Sequence, residues 1–469
     1  MKLEQIYTGC LAQGAYYIES KGEAIIIDPL RETTPYIERA EKDGAKIKYI
    51  LETHFHADFV SGHVDLAQKT GATIVFGPNA ETGFEAYVAK DDEILQLGDV
   101  QIKVLHTPGH TMESTSYLLI DEQGKETALF SGDTLFIGDV GRPDLAVKTH
   151  LTRADLAAHL YNSLRKKIMP LADDVIVYPA HGAGSACGKN MSSETFDTLG
   201  NQKATNYALR ADMTQEEFIK EVTSGLSKPP QYFPKNVLMN RNGYESLDVV
   251  FERGIVALSP DAFEGIANET GALILDTRAP QVFKDAFVPN AINIGIDGSF
   301  APWVGALIVD LKQPIILVTE KGREKEVVTR LARVGYDNVL GYLENGMEAW
   351  INSEKEIDQM ISISATDFEQ ALVKGDLNVL DARRANEYLS EHIVVASNFP
   401  LDYINENIET LDKNKTYHIH CAGGYRSMIT SSILKARGFH NLVDIAGGFK
   451  AISETAIPKT DFVCPSTLS

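Results

Sequence analysis

The chain has 469 residues, and its 44 basic against 65 acidic side chains leave a net charge of −21. That length exceeds an ordinary single domain, so two to four are expected. The acidic balance excludes a nucleic-acid binder and requires any anionic substrate to find a local positive site. Hydrophobic residues at 44% and charged residues at 23% allow each domain its own core. Cys10, Cys187, Cys421 and Cys464 are far apart and form no C-x-x-C pair. This argues against a disulfide framework or a structural zinc site and for a reducing, cytoplasmic compartment. The opening MKLEQIYTGCLAQ lacks an apolar signal core, and no run of about 18 apolar residues follows, so neither a signal peptide nor a membrane span is expected.

In chain order, Ala24–Ile27 reads as a strand ending in Asp28-Pro29, and Tyr36–Asp43 as a helix. Ile47–Glu52 is a short apolar strand that stops just before His54. A helix over His63–Thr70 and strands over Thr73–Phe76, Ile102–His106, Ser116–Ile120 and Ala128–Ser131 follow. Leu151–Leu164 and Glu194–Leu209 read as helices. The Pro-rich piece from Lys228 to Pro234 reads as a tail, with Asn242–Ala257 leading out of the first domain. The second half repeats itself: Leu273–Arg278 matches Val379–Arg383, and Pro314–Thr319 matches Thr416–Cys421. Asp381 follows Asp276 by 105 positions, and Gly438 follows Gly335 by 103. A near-constant offset means two copies of one α/β domain of roughly 100 residues.

Several strand ends are followed by residues that bind metals. They are His54, His56 and Asp58 in Thr53-His54-Phe55-His56-Ala57-Asp58-Phe59, His110 in Pro108-Gly109-His110-Thr111, Asp133 in Gly132-Asp133-Thr134, and His181 in Ala180-His181-Gly182. Taken together, these spacings resemble the metallo-β-lactamase superfold, whose active sites sit on loops at strand ends. Two-metal members of that superfold have His where this chain has Phe59. A phenyl ring cannot ligate as imidazole does, so the second metal is expected to be lost. Within the superfold the chain is most similar to the persulfide dioxygenases, which are related to glyoxalase II. That resemblance implies one Fe(II) per chain on His54, His110 and Asp133, a two-His, one-carboxylate set that leaves positions for a persulfide sulfur and O2 as co-substrate. It places His56, Asp58 and His181 behind the ligands, orienting them or bound water. Direct ligation by His56, as in the hydrolases, is the alternative. Gly141-Arg142-Pro143-Asp144 resembles the segment whose arginine contacts an anionic thiol substrate in those dioxygenases; an internal Arg142–Asp144 brace is the competing reading. Cys187, between small residues in Ser185-Ala186-Cys187-Gly188, is read as an accessible thiol that contacts or accepts sulfane sulfur. A buried inert cysteine is the alternative.

His420-Cys421-Ala422-Gly423-Gly424-Tyr425-Arg426 lies between a strand-like and a helix-like stretch. Glycines let backbone N–H groups converge on the sulfur, and the helix end and Arg426 add positive charge; all three favour thiolate. This loop resembles the active loop of the rhodaneses. The resemblance implies a persulfide carried on Cys421, with Gly423, Gly424, Tyr425 and Arg426 around the substrate. The middle copy has Thr319-Glu320-Lys321-Gly322-Arg323 at the same place, without a cysteine, so it is expected to be silent. The expected fold class is therefore α/β: a metallo-β-lactamase αββα sandwich over 1–245, a silent rhodanese-like domain over 255–355, and an active one over 360–458. The expected function is oxidation of low-molecular-weight thiol persulfides to sulfite and on to thiosulfate. The partners are small thiols and sulfur anions, with no nucleic acid or membrane, in a homo-oligomer. A glyoxalase II-type thioester hydrolase and a pure sulfurtransferase are the alternatives.

Overall fold

A computed structural model describes residues 1–146 and 151–464. The chain divides into two compact units: Met1–Leu247 with Ala332–Gly335, and the remainder from Asp248 onward.

The first unit holds two six-stranded sheets, each with its strands in chain order. One runs Lys2–Thr8, Gln13–Ser20, Glu23–Ile27, Lys46–Leu51, Thr73–Phe76, Tyr87–Val88; the other runs Ile94–Leu97, Val100–His106, Thr115–Ile120, Glu126–Gly132, Ile176–Pro179, Asp197–Thr198. Side chains alternate across a strand, and the alternation assigns them to cores. Tyr16, Ile18, Ile25 and Ile27 pack between the sheets against Val100, Ile102, Tyr117, Leu119 and Phe130. Their neighbours Tyr17, Ala24 and Ile26 pack on the opposite face with Tyr36 and Leu66 from helices. Leu105, Leu118 and Leu129 of the second sheet likewise meet Leu160, Leu164 and Phe218. Glu23–Ile27 and Thr115–Ile120 are covered on both faces and are largely apolar, whereas Val100–His106 still alternates. The result is the expected αββα sandwich.

Most predicted elements of this unit fall within two residues of the observed ones. Glu194–Leu209 does not form one helix. Asp197–Thr198 pairs with Ile176–Val177 as an edge strand, and the Thr198 side chain caps a helix over Leu199–Thr205. Nor are 242–257 a plain lead-out: a helix covers Leu247–Gly254. No helix of the described residues is long and apolar enough to cross a membrane.

The second unit contains two five-stranded parallel sheets. The first is ordered Ala257–Leu258, Val339–Leu343, Ile315–Val318, Leu273–Asp276, Ile292–Asn293. The other is ordered Ile361–Ile363, Leu442–Ile445, Tyr417–His420, Asn378–Asp381, Ala396–Asn398. In strand number both read first, fifth, fourth, second, third, so the sequence repeat is a repeat of topology. The first of the two lies where the sequence lacks a loop cysteine.

Candidate active sites

The strand Lys46–Leu51 delivers His54, the loop after Val100–His106 delivers His110, and Glu126–Gly132 delivers Asp133. Gly132 has φ +55°, and a Cβ there would fall 2.7 Å from the Thr53 side chain, so the turn into Asp133 requires glycine. His54, His110 and Asp133 are all buried, with ligand atoms within 4.8 Å of one another. Asp133 Oδ2 lies 3.8 Å from His54 Nε2 and 3.5 Å from His110 Nε2, yet has no hydrogen-bond partner among the described residues. Donor atoms that converge without hydrogen-bonding, one of them an orphaned buried carboxylate oxygen, are the signature of a cation site. The two-His, one-carboxylate set fits a divalent transition metal such as iron or zinc.

Each of the three is aimed from behind. His54 Nδ1 lies 3.0 Å from Thr53 Oγ1, which donates to Asp28 Oδ2 at 2.8 Å. His110 Nδ1 lies 2.9 Å from the Arg142 carbonyl oxygen. With the Nδ1 protons directed to these oxygens, both Nε2 lone pairs are free to ligate. Asp133 Oδ1 lies 2.7 Å from His181 Nδ1, and His181 Nε2 lies 2.8 Å from Asp58 Oδ2. Burial opposes charge on His181, but Asp133 and Asp58 outweigh it and raise its pKa well above the usual value. Burial, then His56, holds His54 well below that value and keeps it a lone-pair donor.

The His56 ring lies 4.2 Å from that of His54, but its donor atoms group with Asp28 and Glu52 rather than with Asp133. Its Nε2 lies 3.1 Å from Asp28 Oδ1 and 3.5 Å from Glu52 Oε2, and its ring packs on Phe59 at 4.3 Å. Phe59 is fully buried. Asp58, His181 and Cys187 form a separate buried group within 4.8 Å of one another.

At Arg142 and Cys187 the structure shows the second of the two readings, a brace and a buried thiol. Arg142 is only 3% exposed. Its guanidinium pairs with both Asp144 oxygens at 2.7 and 2.8 Å and donates to the Ala186 and Ser227 carbonyls. It braces the loop, and its backbone carbonyl, not its charge, serves the site. Cys187 is 1% exposed, because small neighbours let the loop close over it rather than open it. Burial, then Asp58, pushes its thiol pKa well above the usual value.

Sequence reasoning missed Asp28, Thr53 and Asn240. Buried Asn240 donates to the His56 and Phe59 carbonyls, both at 2.8 Å, and accepts from Ser61 N–H. It thereby sets the turn that carries His54. The Asp28-Pro29 strand end was a visible signal; Asn240, 184 residues from His56, gave none.

In the second unit Cys421 follows Tyr417–His420 and precedes the helix Tyr425–Ala436. Its Sγ accepts the Gly424 N–H at 3.1 Å, and Phe449 N–H donates to the Cys421 carbonyl at 2.6 Å. Ala422 and Gly423 are exposed above it. Arg426 pairs with Glu387 at 2.6 and 2.8 Å, so its charge is largely offset. Tyr425 departs from the expected substrate contact: its ring leaves the loop, and its hydroxyl donates to the Gly295 carbonyl of the middle copy at 2.7 Å.

The profile of the Metallo-beta-lactamase superfamily matches residues 8–181, and that of the Rhodanese-like domain matches 259–353 and 364–455. The crystal structure of a metallo-beta-lactamase from Staphylococcus aureus is similar at 31% identity with a TM-score of 0.64, covering 73% of this chain and 98% of that one. The hydroxyacylglutathione hydrolase GloC of Haemophilus influenzae is 30% identical over 42% of this chain and 98% of its own length. The human mitochondrial persulfide dioxygenase ETHE1 is 28% identical over 45% of this chain and 75% of its own. The chain thus belongs to the metallo-beta-lactamase superfamily, as an enzyme whose metal-binding fold is followed by two rhodanese-like domains.

Proposed function

We propose that the chain is an iron(II) persulfide dioxygenase coupled to a sulfurtransferase. The observation that carries the reading is the three-donor cluster of His54, His110 and Asp133, with the Nε2 of His56 facing Asp28 and the Phe59 ring packed on His56. Iron(II) bound there supplies open coordination positions and electrons for O2. The chain's own residues hold the donor atoms in place: Thr53 fixes the proton of His54 at Nδ1, the Arg142 carbonyl does the same for His110, and His181 holds Asp133. Phe59 and Phe136, both buried beside His181, keep bulk water from that side.

The reaction balances as R–S–SH with O2 and H2O giving R–SH, sulfite and two protons. A second persulfide then passes its outer sulfur to Cys421, releasing R–SH. Sulfite attacks that sulfur, the Cys421 S–S bond breaks, and thiosulfate leaves with the Cys421 thiolate restored. In the resting loop the Gly424 N–H donates to Cys421 Sγ.

Metal content and O2 uptake test the first step. After anaerobic loading, about one iron per chain and O2 uptake on glutathione persulfide are expected. Asp133→Ala should remove both together; iron at full occupancy in that variant overturns the ligand set.

The second reading is a metal-dependent thioester hydrolase like the hydroxyacylglutathione hydrolases. It is favoured by the group of Asp58, His181 and Cys187 beside Asp133. Two zinc ions per chain and thioester cleavage without O2 uptake would select it.

A further inference from the structure

We infer that the cysteine-less copy is a clamp that positions the Cys421 loop through Tyr425, an inference resting on Cys421 as the sulfur carrier. Tyr425 is the first residue of the helix Tyr425–Ala436 and directly follows Gly424, whose N–H is on the Cys421 sulfur. Gly424 has φ +101°. A glycine there allows the turn but does not hold it. Within its own copy the Phe449 and Lys450 N–H groups hold the Cys421 and Ala422 carbonyls, and Tyr425 gives the loop a second anchor on its far side.

The middle copy provides that anchor. The Tyr425 hydroxyl donates to Gly295 O at 2.7 Å, and the ring rests on Gly298. A Cβ at Gly298 would come within 2.3 Å of the Tyr425 ring, and one at Gly295 within 3.3 Å. Two turns further along the helix, Ser432 Oγ accepts the Asn293 N–H at 2.9 Å. Positions seven apart share a helix face, so both grips act on one side of the helix that begins at the active loop.

The receiving turn is itself braced. Asp297, between the two glycines, pairs with Arg323 at 2.8 and 3.0 Å, and Arg330 donates to the Ile296 carbonyl at 2.7 Å. Arg323 belongs to the cysteine-less loop and matches Arg426 of the active one. The arginine of the silent loop therefore holds the turn that holds Tyr425. The charged groups facing this assembly are Asp297, Arg323, Glu326 and Arg330 on the middle copy and the Arg426–Glu387 pair on the other.

The test uses the full chain with Tyr425→Phe, which keeps the ring and deletes the hydroxyl, and Gly298→Ala, which obstructs the ring. Two quantities are read: kcat and KM for sulfur transfer from thiosulfate to cyanide, and amide hydrogen exchange of the peptide that spans Cys421 to Ser427, followed by mass spectrometry. Tyr425→Phe should lower kcat about fivefold with KM held, the loss of one hydrogen bond's worth of positioning. It should also speed exchange in that peptide, because the Gly424 turn is no longer held from its far side. Gly298→Ala should act in the same direction and more strongly; should it fail to fold, Tyr425→Phe decides alone. Wild-type exchange in Tyr425→Phe, whether transfer falls or not, overturns the clamp. A wild-type chain that transfers no sulfur would sink the sulfurtransferase reading instead, and the exchange rate would still decide the clamp.

Discussion

The two rhodanese-like copies repeat each other down to single hydrogen bonds and part company at one loop. Arg278 Nη2 lies 2.6 Å from Asp276 Oδ2, and Arg383 Nη2 lies 2.6 Å from Asp381 Oδ2. Asn293 donates to the carbonyls of Asp276 and Arg278, and Asn398 to those of Asp381 and Arg383. In the loops, Cys421 Sγ receives a backbone N–H, whereas Thr319 Oγ1 is buried with no hydrogen-bond partner among the described residues. The frame and the chemistry are therefore separable. The Asp–Arg–Asn network builds the sheet end in both copies, and the cysteine stands on the loop of one.

The largest effect should come from breaking the difference. Cys421→Ser replaces the sulfur with an oxygen that cannot hold a stable persulfide, and sulfur transfer should fall by about 10³-fold or more. O2 uptake should persist, with sulfite accumulating in place of thiosulfate. An unchanged thiosulfate yield, read by chromatography of the products, would mean the loops do not differ as described.

The next effect should come from breaking the likeness. Asp276 and Asp381 are both fully buried, and each depends on its arginine. Arg278→Ala and Arg383→Ala should each destabilise the unit by about 3 kcal/mol, the usual cost of leaving a buried charge unpaired. Arg383 also lies over the Phe449 ring at 4.0 Å, so its removal should cost up to about 1 kcal/mol more. Thermal unfolding of the two variants measures the gap; a reversed order would show that the two frames are not equivalent.

What could be read in the sequence follows the same division. His54, His110, Asp133 and Cys421 were legible because each lies within four residues of a strand end, where local pattern and chemistry coincide. The twin sheets were legible because matched segments recur at a near-constant spacing. The supports were not legible. Asn240 meets His56 across 184 residues and Tyr425 meets Gly295 across 130, and no local period encodes such contacts. Arg142 shows the third kind of loss: its residue type suggested a charge for the substrate, but its guanidinium is engaged by Asp144, Ala186 and Ser227 and its carbonyl is what reaches His110.

The smallest effect concerns the loop arginines, which both copies hold against a carboxylate: Arg426 on Glu387, Arg323 on Asp297. Burial works against ionisation of Glu387, but the Arg426 hydrogen bonds outweigh it and lower its pKa. A carboxylate with a depressed folded-state pKa stabilises above the ordinary carboxylate range, and that contribution is lost as pH falls through the depressed value. Glu387→Gln should therefore cost at most about 1 kcal/mol near neutrality, since the pair is partly exposed. It should also flatten the acid limb of the unfolding curve. The same substitution frees Arg426 to face the Cys421 sulfur, so sulfur transfer should rise or hold while stability falls slightly. If transfer instead falls with Glu387→Gln, the carboxylate is aiming the arginine at the sulfur site rather than occupying it, and the two copies would differ in the use of that pair as well as in the cysteine.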